Sequence, residues 1–584
     1  MTSDRLHPRP QLTRDAWIDL DGEWGFASDP DDRGLVEGWW RRAEPFDRTI
    51  LVPFPPESAA SGIEEPLQRI VWYRREIGPL DVPDGHRVLL HLTAVDHLAD
   101  VWVDGQHVAR HEGGHTSFSI DITRAVTPDR PVALVVRALD EPSALDQPRG
   151  KQDWEDEPHT IWYRRTTGIW RQVWAEVVPG SYVDELRWTP LDRPGQVRVE
   201  VGVAGHVVDS LEVDVALSWE GAPGHRTSLE VHGGRASAVL DLRDPRFDTE
   251  PHRLLWTPES PTLLRGEVRL RRDDVVVDRV GTYVGLRTVG THGRSILLNQ
   301  RPYHLRLVLE QAFWPQTHLA APSDEALSDE VRLIKSLGFN GLRMHQTVAD
   351  PRFLYECDRQ GLVVWADAPA AYRFSPTALS RTVAEWMEIV RRDASHPSVI
   401  AWVAFNESWG VPDVETDADQ QHAVRAVTHL LKALDPTRLV IGNDGWEYVA
   451  GDLLGVHDYT QDPAVVEARY GTQERTEATV RSGQPGARRL TVAGEAPKVP
   501  VVLSEFGGTT FSEQSSWEGY GHVDELEEFL DRVGQLVRAV AAADGLAGWC
   551  YTQLTDTLQE RNGLLDEHRV PKAPVERLRE IIAG

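Results

Sequence analysis

Ser398-Val-Ile-Ala-Trp-Val-Ala-Phe-Asn-Glu407 runs seven apolar residues straight into an amide and a carboxylate. A segment that apolar is buried on both faces, as strands of helix-covered parallel sheets are. Val501-Val-Leu-Ser-Glu505 repeats the pattern and again ends on glutamate. Working outward, short apolar runs recur at 303–310, 339–344, 362–366, 399–405, 439–442, 453–457, 499–504 and 546–552. Between them lie amphipathic stretches, the pattern of βαβ units.

Those stretches carry helix start and stop signals. Ser323 caps one whose first turn holds Asp324 and Glu325, whose buried face is Leu327, Val331, Ile334 and Leu337, and which stops at Gly338. Asp350-Pro351 opens the next, with Gly361 beyond its end. Eight such units predict a (β/α)8 TIM barrel over 291–584. Upstream, 1–180 and 181–290 read as two β zones. In the first, Asp104-Gly105 supplies a tight hairpin turn; in the second, Val197, Val199, Val201 and Val203 alternate with polar residues, as do Leu211, Val213, Val215, Leu217 and Trp219.

In such barrels the carboxyl ends of the strands converge on one face, which holds the active site. Here those ends carry Glu310 and Gln311, Arg343 and His345, Asp367, Asn406 and Glu407, Asn443 and Asp444, His457 with Asp458 and Tyr459, Glu505, then Gln553 and Asp556. Stability alone does not call for so many ionisable groups on one rim. Glu407 and Glu505 are 98 residues apart, and three units of a barrel of about 250 residues take about 94, which puts them on strands four and seven. Paired carboxylates on facing strands are what glycosidic hydrolysis requires. Glu407, beside Asn406, reads as the acid/base, its carboxyl pKa raised by the strand environment; Glu505 then reads as the nucleophile. A covalent, retaining mechanism predicts a carboxyl separation of about 5 to 5.5 Å.

With these residues in place, the chain resembles glycoside hydrolase family 2, the β-galactosidases, β-glucuronidases and β-mannosidases. The resemblance starts at Leu20-Asp-Gly-Glu-Trp-Gly-Phe26 and continues through Trp72-Tyr-Arg-Arg75, Ala94-Val-Asp96, Val101-Trp-Val-Asp-Gly105 and Gly168-Ile-Trp-Arg171. In the barrel it covers Leu298-Asn299, Pro302, Leu305-Arg306, Gly338-Phe-Asn340, Arg343, His345, His396-Pro-Ser-Val399, Asn406-Glu407 and Ser504-Glu505. It implies a multidomain fold: an N-terminal β jelly-roll that binds sugar, an immunoglobulin-like β-sandwich and the catalytic barrel. It also implies Glu407 as acid/base, Glu505 as nucleophile, and no organic cofactor. Arg343 and His345 match the family's strand-two pair, Tyr459 the tyrosine that contacts the nucleophile, and Trp549 the aromatic floor of the sugar site. Asp367 stands where relatives often carry Glu, and His457 completes the expected substrate-binding set.

Family β-glucuronidases hold the sugar carboxylate with an Asn-x-Lys motif; the matching segment here is Glu560-Arg-Asn-Gly-Leu564, without the lysine. The departure favours a neutral glycone, galactose first, with β-glucuronidase, β-mannosidase and arabinopyranosidase or galactofuranosidase activity as alternatives. A transglycosylase and an inactive carbohydrate-binding protein are the rival functions; the presence of both glutamates favours an enzyme.

The net charge of -29 argues against a nucleic-acid partner. No apolar stretch reaches the about 18 residues that a membrane span needs. With no secretory leader in the first 20 residues and only Cys357 and Cys550, a cytoplasmic location is expected. A homo-oligomer stays open. His111-Glu-Gly-Gly-His115 matches the zinc-protease pattern, yet its two glycines argue against the helix that pattern needs, and no dedicated metal site is expected. The aromatic stretch 150–165, with Trp154, Trp162 and Tyr163, is expected to be either a surface loop or a strap over the barrel mouth.

Overall fold

Period-two burial builds two antiparallel β-sandwiches ahead of the barrel. This computed structural model describes residues 5–208, 210–219, 224–242, 251–494, 496–511 and 519–584. The first sandwich opposes a four-stranded sheet (Ile18–Asp19, Val173–Val178, Arg87–Leu92, Phe118–Asp121) to a six-stranded one (Arg48–Val52, Gly22–Ser28, Ile70–Ile77, Val132–Leu139, Leu98–Val103, Gln106–Glu112). Val88, Leu90, Val101, Leu134 and Val136 are fully buried between them; each such side chain contributes about 1.5–3 kcal/mol. Val103 pairs with Gln106 across Asp104-Gly105, both at positive φ, so the expected hairpin turn forms.

The second sandwich has three strands (Ser181–Pro190, Gln196–Gly205, Arg235–Asp241) facing four (His225–Glu230, Leu211–Ser218, Leu264–Arg272, Val275–Val284). Val197 to Val203 and Leu211 to Leu217 put alternate side chains into its core. Residues 5–14 strap the units together. Leu12 joins that second core, and Thr13 exchanges backbone hydrogen bonds with Gly281. The Arg14 guanidinium lies 2.8 Å from Glu176 of the first sandwich and 2.8 Å from Asp278 of the second. The Leu6 amide donates to Asp324 of the barrel at 2.7 Å.

A small sheet over 289–302 then leads into the barrel, and its Ile296 packs into the barrel floor. The eight parallel strands are β1 Leu305–Glu310, β2 Gly341–Met344, β3 Val363–Asp367, β4 Val399–Val403, β5 Leu439–Ile441, β6 Leu454–His457, β7 Val501–Gly507 and β8 Gly548–Thr552. Ladders connect them in the order β5-β4-β3-β2-β1-β8-β7-β6. At the remaining seam the Asp444 carboxylate lies where a Cβ on Gly455 would be, so glycine lets the end of β5 close onto β6. Helices α1 Asp324–Ser336 and α2 Pro351–Gln360 start at Ser323 and Asp350, whose side chains accept from Ala326 N and Arg352 N, as their cap signals require. No described helix is long and apolar enough to cross a membrane.

Alternation within the strands decides what the barrel interior receives. Leu305, Leu307, Leu309, Val363, Trp365, Val403, Val502 and Cys550 fill it, while Val308, Leu342, Met344, Val364, Trp402, Leu503, Trp549 and Tyr551 face the helices.

Helix α3, Pro376–Asp393, sets Glu385 against the Gly114 backbone of the first sandwich. Burial pushes its carboxyl up to about 8; the Gly114 backbone N–H and Arg381 pull it down, and Glu112 adds to the rise. Because the folded value exceeds the unfolded one, this group's favourable contribution is full below the unfolded pKa and is lost as pH rises through about 8. Glu385→Gln is therefore expected to melt like the parent near pH 5 and above it by about 2 °C or more at alkaline pH. Thermal melts of both proteins across that range check this; parallel curves would refute it.

Candidate active site

Arg343, on β2 and fully buried, is the hub of the barrel mouth. Its Nη1 lies 3.0 Å from Glu505 Oε1 and 2.7 Å from Asp444 Oδ2; its Nη2 lies 2.9 Å from Asp367 Oδ2 and donates to Asn406 Oδ1 at 2.7 Å. Arginine suits this place because its planar fork serves several acceptors at once. Fixing Asn406 Oδ1 on Arg343 also orients the amide.

His457, ending β6, links the two glutamates. Its Nδ1 is 2.7 Å from Glu407 Oε1, and its Nε2 is 3.2 Å from Asp444 Oδ2 and 3.4 Å from Glu505 Oε1. Burial pushes this imidazole down, but the charge of Glu505 and the contacts with Asp444 and Glu407 outweigh it and hold the pKa at about 10. His457 is thus cationic at neutral pH. Together with Arg343 it sets two positive charges among the carboxylates.

Glu407 follows β4 at φ 52°, with Ser408 at φ 61°, both in the left-handed region that costs a side-chain-bearing residue energy. The turn is held by Glu407 N donating to Asp444 O at 2.9 Å and Ser408 N donating to Asn443 Oδ1 at 3.0 Å. About a fifth of the Glu407 side chain stays exposed. Its pKa corrects the sequence expectation. Burial does push the carboxyl up, but the hydrogen bond and charge of His457, with Arg343 beyond, leave it below its ordinary value.

Glu505 sits at the irregular end of β7 and receives a short hydrogen bond from Tyr459 Oη. Tyr459 stacks face to face on Tyr520, ring centroids 3.4 Å apart. One ligand atom each of Glu407, His457 and Glu505 lies within 4.8 Å of the others.

Asp367 and His345 stand behind this group. Burial raises the Asp367 carboxyl to about 6 although Arg343 pulls it down. His345 Nδ1 is 3.1 Å from Asp367 Oδ2, and burial with the nearby Arg343 charge keeps the ring neutral.

The structure thus brings together Arg343, His345, Asp367, Asn406, Glu407, His457, Tyr459 and Glu505. It does not bring Trp549. That side chain is fully buried in the outer core, edge-on to Phe339 and Phe506. The reason is register: on β8 it is Cys550 that points inward, and Trp549 that points toward the helices. Three strand-end acids also turn away: Glu310 toward Arg569 and Glu330, Asp458 onto Arg469 and Tyr470, Asp556 onto Lys572.

Four residues join the site without having been selected for it: Asp444, Lys151, Glu560 and Tyr520. Asp444 had a signal, its place at a strand end. Lys151 lies in the stretch 150–165, which does strap the barrel mouth. Trp162 Nε1 donates to Tyr372 Oη at 2.6 Å, Tyr372 Oη donates to Gly150 O at 2.6 Å, and Gln559 Nε2 donates to Trp162 O at 2.7 Å. Arg149 lies against the rings of Trp154 and Tyr372. Trp162→Ala removes one of these hydrogen bonds and the packing beside it. It is expected to raise KM about tenfold, the worth of about 1.4 kcal/mol, with kcat much less affected; unchanged kinetics on an aryl glycoside would refute the strap.

The His111-Glu-Gly-Gly-His115 segment is no helix: His111 and Glu112 end a strand, and Gly113, at φ 139°, turns the chain.

A family model described as "Glycosyl hydrolases family 2, TIM barrel domain" matches residues 291–582. The β-glucuronidase of Canis lupus familiaris is 28% identical over 98% of this chain and 92% of its own length. A β-galactosidase of Thermoanaerobacter pseudethanolicus is 24% identical over 64% of this chain and 49% of its own length. Among solved structures, the Bifidobacterium dentium β-glucuronidase complexed with coumarin-3-O-glucuronide superposes with a TM-score of 0.81 at 19% identity, covering 100% of this chain and 98% of that one.

Proposed function

The chain belongs to glycoside hydrolase family 2 and is a glycoside hydrolase, and on that premise we propose that it is an exo-acting, retaining β-glycosidase. The observation that carries the proposal is the closeness of Glu407 and Glu505, whose ligand atoms lie within 4.8 Å of one another and of His457. Retaining enzymes hold their carboxyl groups about 5–5.5 Å apart, whereas inverting ones leave about 6.5–9.5 Å for a water.

In the first step the Glu505 carboxylate attacks the anomeric carbon while Glu407 gives its proton to the departing glycosidic oxygen. The C1–O bond to the aglycone breaks and an ester to Glu505 forms. In the second, Glu407 takes a proton from water, the water oxygen attacks C1, and Glu505 leaves as carboxylate. Tyr459 and Arg343 hold Glu505 in place. A sugar entering the site removes water from Glu407, and loss of water is the effect that pushes its carboxyl up toward an acid's value. The 150–165 strap is fastened at the mouth both to Tyr372 after β3 and to Gln559 after β8, which supports action at chain ends.

The glycone is read as neutral, galactose first. A uronide is the second reading, favoured by relatives named β-glucuronidase. A panel of nitrophenyl β-galactoside, β-glucuronide, β-mannoside, β-glucoside and arabinopyranoside tests it. Proton NMR of the preferred reaction should show the β-anomer of the freed sugar first; α-anomer appearing first would overturn retention.

A further inference from the structure

Lys151 and Glu560 form an ion pair at 2.8 Å, each with about a twentieth of its side chain exposed, in the wall of the site just described. Lys151 comes from the first sandwich's strap and Glu560 from the loop after β8. Glu560 Oε2 also lies 3.5 Å from Gln311 Nε2, Gln311 donates to Gln553 Oε1 at 2.7 Å, and Gln553 donates to Asn562 Oδ1 at 2.8 Å. Gln311 follows β1 and Gln553 follows β8, so this polar chain lies beside Glu505 on β7 and across the mouth from Glu407 on β4. That is the side where the far hydroxyls of a sugar fall when its anomeric carbon faces Glu505 and its aglycone faces Glu407.

Two features set the pair apart from a clasp between domains. The strap is already fastened by Gln559, Tyr372 and Trp162, and a buried ion pair is by itself a poor stabiliser. Further, Gln311 Oε1 and Asn562 Nδ2 in this polar chain are buried with no hydrogen-bond partner, one acceptor and one donor. The charge of Lys151 acts on His345 together with those of Glu505 and Glu407, as expected within one chamber.

We infer that the Lys151–Glu560 pair reads the non-reducing end of the glycone and selects a neutral sugar over a uronic acid. The ammonium donates to one sugar oxygen and the carboxylate accepts from a neighbouring hydroxyl. A sugar carboxylate in the same place would lie against Glu560 or have to displace it from Lys151. The inference rests on the glycosidase reading above and names its specificity.

The test compares kcat/KM on nitrophenyl β-galactoside and nitrophenyl β-glucuronide for wild type, Glu560→Gln and Lys151→Met. Wild type should favour the galactoside. Glu560→Gln frees the ammonium: galactoside activity should fall about tenfold and the glucuronide-to-galactoside ratio should rise about 100-fold. Lys151→Met should lose galactoside activity without gaining the glucuronide. An unchanged ratio in a folded Glu560→Gln protein overturns this inference alone; a wild type that prefers the glucuronide overturns the neutral-glycone reading along with it. Should Glu560→Gln fail to fold, the double variant Lys151→Met with Glu560→Leu removes both charges at once. Its galactoside KM should rise about tenfold with no gain on the glucuronide, and an unchanged KM overturns the inference.

Discussion

Glu505→Ala is expected to lower kcat on an aryl β-glycoside by about 10⁴-fold or more while leaving the protein folded. The loss is large because no neighbour can replace the attacking oxygen. The Tyr459 hydroxyl, held protonated by burial and the Glu505 charge, is a poor nucleophile, and Arg343 is a cation with no lone pair to give. The fold should survive, since removing one carboxylate from a cluster with four carboxylates and two cations relieves repulsion. Azide added to this variant should enter the vacated space and attack from the face Glu505 used, giving an α-glycosyl azide. Wild-type rates in the variant, or a β-azide, would end the assignment of Glu505 as nucleophile.

Arg343→Met has the second large effect, on stability as well as on rate. It strands Asp367, Asp444 and Glu505 around an uncharged side chain, with only His457 left to balance them. Breaking a buried pair from one side costs about 3–5 kcal/mol, and here three carboxylates lose the same partner. Chemical denaturation should register that loss, and residual kcat should fall because Asn406 and Glu505 lose their common anchor. Arg343→Lys restores the charge but not the fork, so it should recover part of the stability and little of the rate. A stable, active methionine variant would show that the hub is dispensable.

The barrel was legible because its strands are too apolar to read otherwise and because each ends on polar residues, so Glu407 and Glu505 could be placed from spacing alone. What the sequence hid was direction. Trp549 and Cys550 are neighbours on one strand, and a single residue of register separates the interior from the helix layer. Glu310, Asp458 and Asp556 also end strands, yet each is drawn away by a basic or phenolic partner that no local pattern announces. The pKa of Glu407 could not be read either, since it depends on His457, fifty residues away in sequence. Lys151 was missed for a further reason: it reaches Glu560 across 409 residues, and short-range periodicity carries no information about such pairs.

The strap over residues 5–14 bears on how the chain matures. It leaves the ribosome before any of its partners: the acceptor for the Leu6 amide is made 318 residues later and the partners of Arg14 lie in two different sandwiches. Loop closures of that span are slow compared with the folding of each unit on its own. Full lacing of this segment is therefore a late event, after both sandwiches and the first barrel helix exist, and a nascent chain halted before Asp324 would leave the Leu6 amide without its acceptor.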